Sequence, residues 1–137
     1  MRNSGLLGTR EARVLLVAAA LVMLHSLDEA YGHPEDGGKV NLAVAIGVFG
    51  LLLAVHGRLR RWWLVAVLGI LGTDVVIQGV LGHLSHVIEG NAVPLDYSGF
   101  LFTAGGALLL WLALDMFRRG RRPERGPERA EVGSGSR

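Results

Sequence analysis

Hydrophobic residues are gathered into four long runs along this chain, and most polar residues lie between them. A helix that crosses a hydrocarbon layer about 30 Å thick needs about 20 mostly apolar residues; the second run falls short of that by only two residues, and the last two runs reach it. Backbone groups find no hydrogen-bond partner in lipid, so each run is expected to be helical. The pattern predicts an all-α, four-transmembrane-helix bundle of up-down topology, with spans at about 12–29, 40–57, 62–88 and 98–117.

The first run is the shortest, because its purely apolar part covers only Val14–Leu24. It crosses the membrane only if His25, Ser26, Asp28 and Glu29 belong to its last turn or to the interface. A cleaved secretory signal peptide is the alternative, since arginines precede a short apolar segment. No cleavage site between small residues follows that segment, so we expect the span to be retained.

Positive charge is segregated along the chain: thirteen of the fourteen Lys and Arg residues precede span one, lie at its very start, follow span four or lie in the second loop. Short loops rich in Lys and Arg stay in the cytoplasm, which predicts a plasma-membrane protein with both termini inside. We expect a cytoplasmic N-terminus (1–11), a membrane domain (12–117) and a disordered basic tail (118–137). The predicted partner is the bilayer rather than nucleic acid, with lipid headgroups contacted by Arg58, Arg60, Arg61, Arg118, Arg119, Arg121 and Arg122.

Several kinds of chemistry are excluded by what the chain lacks. It has no cysteine, so disulfides, thiolate metal sites and cysteine nucleophiles do not occur. It also has no phosphate-binding glycine loop, no zinc-protease His-Glu-x-x-His motif and no serine-hydrolase elbow. We therefore expect a non-enzymatic membrane protein.

Histidines and carboxylates are predicted to meet at the outer ends of spans one and three. At roughly 100° per residue, Gly72, Gly79, His83 and His86 share one face of span three, and the glycines allow another backbone to approach. Imidazoles combined with carboxylates suit a divalent transition metal, and helical bundles build such sites from facing helices. The predicted site comprises His25, Asp28, His83, His86 and Glu89. The alternatives are haem held between two histidines, or interfacial residues that bond only to one another and to loop backbone.

A second polar stripe on span three contains Asp74, Gln78 and Ser85. Asp74 lies near the middle of the membrane, where an ionisable residue is a functional candidate by default. The stripe predicts a proton or polar pathway in a small transporter or pore, which would need at least a dimer of this short chain. The alternative is a protonated Asp74 that is hydrogen-bonded inside the bundle.

The two halves of the chain resemble each other weakly, since His25-Ser-Leu-Asp28 corresponds to His86-Val-Ile-Glu89. Duplication would relate spans one and two to spans three and four by a parallel two-fold repeat. The short second loop further predicts a tight hairpin of spans two and three. A third class of function is an accessory subunit of a larger membrane complex.

Overall fold

The computed structural model describes residues 9–32, 37–55 and 58–121, except the side chains of Thr9 and Leu95. Four of its helical segments are long and apolar enough to cross a membrane, which confirms the predicted four-helix membrane bundle. The helices are α1 (Thr9–Gly32), α2 (Gly38–Val55), α3 (Arg61–Gly79), α4 (Ser85–Ile88) and α5 (Pro94–Gly120), and a π-helical turn (Val80–Leu84) joins α3 to α4.

The helices are longer than the apolar runs at three of the four spans. Helix α1 continues through His25 and the acidic residues to Gly32, so the marginal first run becomes a 23-residue candidate span. Helix α5 continues to Gly120, three residues into the segment predicted as the tail. The remainder of that tail, from Arg122 onward, lies outside the described residues, as do residues 1–8.

Helix α5 occupies the central position in the bundle, because it packs against α3 on one side and α1 on the other. Among the described residues, α2 packs against α1 and makes no close backbone contact with α3. The predicted tight hairpin of spans two and three was therefore wrong. A two-fold repeat would pack α2 on α3 as α5 packs on α1, so the packing does not have that symmetry.

Glycine permits the close approach of α3 to α5. A Cβ atom at Gly72 would lie 2.8 Å from the backbone nitrogen of Leu110 and 2.9 Å from the carbonyl oxygen of Gly106. Small residues at such contacts let helix backbones pack closely in lipid, where van der Waals contact replaces the hydrophobic effect. The predicted glycine face of span three does meet another backbone, but that backbone belongs to α5 and not to α1.

The two ends of the bundle differ in chemistry. The arginine end, which carries Arg61 and Arg119, lies next to a core of fully buried leucines. The histidine end carries His25, His83 and His86, and it holds the buried polar residues of the described chain. The largest fully buried side chains are Leu15, Leu64, Leu68, Leu109 and Leu112. This leucine core anchors the helices that present the polar groups at the opposite end.

Candidate functional site

Asp96 is the central residue of the histidine end, and the start of α5 holds it in place. Pro94 occupies the first turn of the helix, where its missing N–H costs nothing. Asp96 Oδ2 accepts a hydrogen bond from the backbone N–H of Val93 at 2.8 Å, as an acid in the first turn of a helix commonly does. Only 3% of the residue is exposed, so this carboxylate is both buried and fixed.

Two histidines converge on the other oxygen of that carboxylate. Nδ1 of His83 lies 3.1 Å from Asp96 Oδ1, and Nδ1 of His86 lies 3.3 Å from the same atom. An ionised carboxylate only accepts hydrogen bonds, so each ring donates an Nδ1–H to it. In a neutral imidazole this leaves Nε2 as the nitrogen with a lone pair.

The π-helical turn between α3 and α4 carries His83 itself. Turns of this kind frequently interrupt α-helices at functional sites. Gly99 of α5 lies directly beneath the ring, because a Cβ atom there would come within 2.3 Å of His83 Cβ. The backbone of α5 therefore approaches His83 closely enough for Asp96, one turn earlier, to reach the imidazole.

His25 brings α1 into the same cluster. It is 3% exposed, and its Nδ1 lies 3.0 Å from the Ser98 hydroxyl oxygen. Its ring meets the His83 ring edge-on, with centroids 4.7 Å apart, and also contacts Phe102. Two rings in direct contact leave no space for a porphyrin between them, which argues against haem ligation by this pair.

The structure gathers three of the five residues predicted as a metal site and leaves the other two exposed. His25, His83 and His86 come together, whereas Asp28 and Glu89 are exposed and form no hydrogen bond to a histidine within the described chain. No group of three or more His, Asp or Glu side chains in residues 9–32, 37–55 and 58–121 is arranged to hold a metal ion.

Asp96 was missed as a site residue, although the sequence contains a signal for it. A proline followed two residues later by an acid is typical of a helix start. That signal places a carboxylate at the membrane end of span four. It does not say that His83 and His86 will be the neighbours.

Asp74 lies about halfway along the third span, and the structure exposes it. Gln78 Nε2 donates a hydrogen bond to Asp74 Oδ2 at 2.7 Å. Ser85 donates instead to the carbonyl of Leu81 in the previous turn, so the predicted stripe forms a pair rather than a chain of three. The Asp74–Gln78 pair is not enclosed by the bundle, which differs from the alternative of a carboxyl buried between helices.

The cleft between α2 and α3 has two chemically distinct parts. Its part nearer the histidine end has a volume of about 190 Å³ and is lined by polar groups among apolar ones. Its part nearer the arginine end has a volume of about 400 Å³ and is lined by aliphatic side chains such as Val48, Leu52 and Val67. The polar lining residues are Ser26, Asn41, Asp74 and Gln78.

Some of the arginines predicted to bind lipid headgroups have partners within the protein. Arg61 donates to the carbonyl oxygen of Met116, and Arg119 pairs with Asp115 and with Glu11. Arg121 lies over the ring of Phe117 at 4.1 Å. These contacts hold the arginine end together and leave headgroup binding by the remaining arginines as a prediction. Arg122 lies outside the described residues.

Comparison with protein families, with curated proteins and with solved structures finds no match to this chain. The family-level evidence therefore assigns no activity. The fold is that of a small multi-pass membrane protein with two polar features, the histidine end and the Asp74–Gln78 pair.

Proposed function

We propose that the protein binds a divalent transition metal at its histidine end, which the arginine distribution orients toward the outside of the cell. The proposed ligands are the Nε2 atoms of His83 and His86. The observation that carries the proposal is that both rings direct Nδ1 to the single buried carboxylate of Asp96. Histidines that bind metals almost always donate their other ring N–H in this way, which fixes the tautomer and orients the coordinating nitrogen.

The residues at this end support a weak and exchangeable site. Two imidazoles suit zinc, copper, nickel or iron, but a closed structural zinc site needs four protein ligands. The further coordination positions would therefore be filled by water, and the bound ion would exchange readily. Half of the His86 side chain is exposed, so the ion would reach the site from the aqueous side. Such a site suits sensing or passing on a metal.

Asp96 and His25 serve as positioning residues in this proposal. Asp96 holds both ligand rings, and its replacement by Asn is expected to weaken metal affinity about 10- to 100-fold, as other losses of such carboxylates do. His25 packs against the His83 ring, so His25→Phe should conserve most of the packing and change the affinity much less.

The experiment titrates zinc, nickel and copper into the purified protein in detergent. Calorimetry measures the affinity, and metal analysis after equilibrium dialysis measures the stoichiometry. We expect saturable binding of about one ion per chain. The variants His83→Ala and His86→Ala should each remove it, while Glu89→Gln should bind as the wild type does. A protein that takes up no metal, or one whose uptake survives both histidine substitutions, contradicts the proposal.

A second candidate function is favoured by the polar part of the α2–α3 cleft. Ser26, Asn41, Asp74 and Gln78 line it among apolar residues, and Asp74 lies near mid-membrane. An intramembrane acid that lines a partly polar cleft suits proton uptake from the histidine side. The test is proton flux in proteoliposomes that enclose a pH dye. Flux abolished by Asp74→Asn but retained by Ser26→Ala supports this function, and flux that survives Asp74→Asn contradicts it.

A further inference from the structure

We infer that a second copy of this chain packs against the face of α3 that carries Asp74, across a two-fold axis along the membrane normal. This inference does not depend on the metal site, which lies at the other polar feature of the molecule. It concerns the exposed surface formed by Gly69, Ile70, Thr73, Asp74 and Ile77, called here the Asp74 face.

The polar groups of the Asp74 face lie at a depth in the membrane where lipid offers them no hydrogen-bond partner. Thr73, Asp74 and Gln78 are exposed on the isolated chain, halfway along a span of 28 residues. The Thr73 hydroxyl donates a hydrogen bond to the Gly69 carbonyl oxygen and so has a partner within its own helix. The Asp74 carboxyl and the Gln78 amide bond to each other, and this single bond leaves further donor and acceptor capacity on both groups. Polar side chains in membrane spans almost always face protein or water.

The shape of the same face suits a close helix contact. A Cβ atom built on Gly69 meets no atom within 4 Å, so none of the residues that the structure describes occupies the space above it. Gly69 and Thr73 lie four residues apart, the spacing at which small residues let a second helix approach in lipid. Ile70 and Ile77 flank them and are 70% and 50% exposed, so they are available to pack against another helix.

A second copy is the occupant that the chemistry favours. A two-fold axis along the normal places the same residue of both copies opposite each other at the same depth. Asp74, with Gln78 bonded to it, then approaches Asp74 and Gln78 of the second copy. The carboxyl accepts hydrogen bonds and the amide donates them, so this pair is complementary to itself. Any other partner would have to supply a matching polar group at the same depth.

Cysteine cross-linking tests the contact directly, because the chain contains no cysteine of its own. Thr73→Cys, oxidised in proteoliposomes, should give a disulfide-linked dimer, since a disulfide requires Cα atoms within about 7 Å. The matched control is Ala104→Cys, which is exposed on α5 and lies outside both surfaces that Asp74 lines. Equal cross-linking at Ala104 and Thr73 would overturn the inference.

Energy transfer between labelled copies in vesicles gives the second readout. Asp74→Leu should weaken self-association about tenfold, because it removes the interhelical hydrogen bonds. Asp74→Asn keeps donors and acceptors and should retain most of it. Circular dichroism should show all variants equally helical, because Asp74 is exposed in the monomer. A wild-type chain that stays monomeric at every protein-to-lipid ratio overturns the inference. This conclusion holds even if Thr73→Cys becomes cross-linked to another protein in cells.

Discussion

Helix α3 presents two glycine-containing faces that differ in what lies opposite the glycine. At Gly72 the backbone of α5 is so close that no side chain fits, whereas at Gly69, three residues earlier, the space is open. The closed face carries the apolar packing of the bundle, and the open face carries Asp74. The difference shows that small residues mark surfaces able to pack closely, without indicating whether the partner belongs to the same chain.

The largest expected effect comes from placing a large side chain on the closed face. Gly72→Leu forces α3 away from Leu110 and Gly106 of α5, and we expect a loss of stability of about 3 kcal/mol or failure to fold. Gly69→Leu is the matched control and should leave the free energy of unfolding of the detergent-solubilised monomer nearly unchanged. Thermal unfolding followed by circular dichroism measures both, and equal destabilisation would remove the distinction between the two faces.

Truncation of side chains on the same helix gives the next largest effect. Leu68 is fully buried, and Leu68→Ala should cost about 2 kcal/mol, near the lower end for such changes, because apolar solvent rather than water surrounds the protein. Ile70 is 70% exposed, so Ile70→Ala should cost less than about 0.5 kcal/mol. Unfolding in mixed micelles that contain an increasing fraction of denaturing detergent measures the free energy of unfolding of both variants. A larger cost for Ile70→Ala in the monomer would contradict the packing of α3.

Asp96 ties the histidine cluster to the start of α5, so its loss should have an intermediate effect. Asp96→Leu removes the acceptor for the Val93 N–H and for both histidine rings, at a cost of about 1–3 kcal/mol. Asp96→Asn keeps an acceptor and should cost less. Glu89→Gln, at an exposed neighbouring acid, serves as the control for loss of charge. If the three variants unfold alike, Asp96 does not organise this end.

The smallest effect is expected at the ion pair that joins α1 to α5. Arg119 Nη1 lies 2.8 Å from Glu11 Oε1, and 40% of the Arg119 side chain is exposed. Arg119→Gln should therefore cost less than about 1 kcal/mol, and the cost should shrink as salt is added. Arg118→Gln, at an exposed neighbouring arginine, is the control. A cost that does not change with salt would show that packing rather than charge holds α1 to α5 there.

The sequence by itself determined the four spans, because apolar runs long enough to cross a membrane rarely form any other structure. It also placed Gly72, His83 and His86 on one face of span three, since that follows from helix geometry alone. The proline and the acid at the start of span four were visible as a helix beginning. These features are local, and local geometry does not depend on which helices are neighbours.

Only the tertiary structure decided which surfaces meet. It placed α5 between α1 and α3, and this brought Asp96 to the histidines while Asp28 and Glu89 stayed exposed. It also left Asp74 on an open face instead of inside the bundle. The physical reason is the solvent: in a bilayer both the core and the lipid-facing positions are apolar, so hydrophobic periodicity does not distinguish the buried face of a helix from the exposed one.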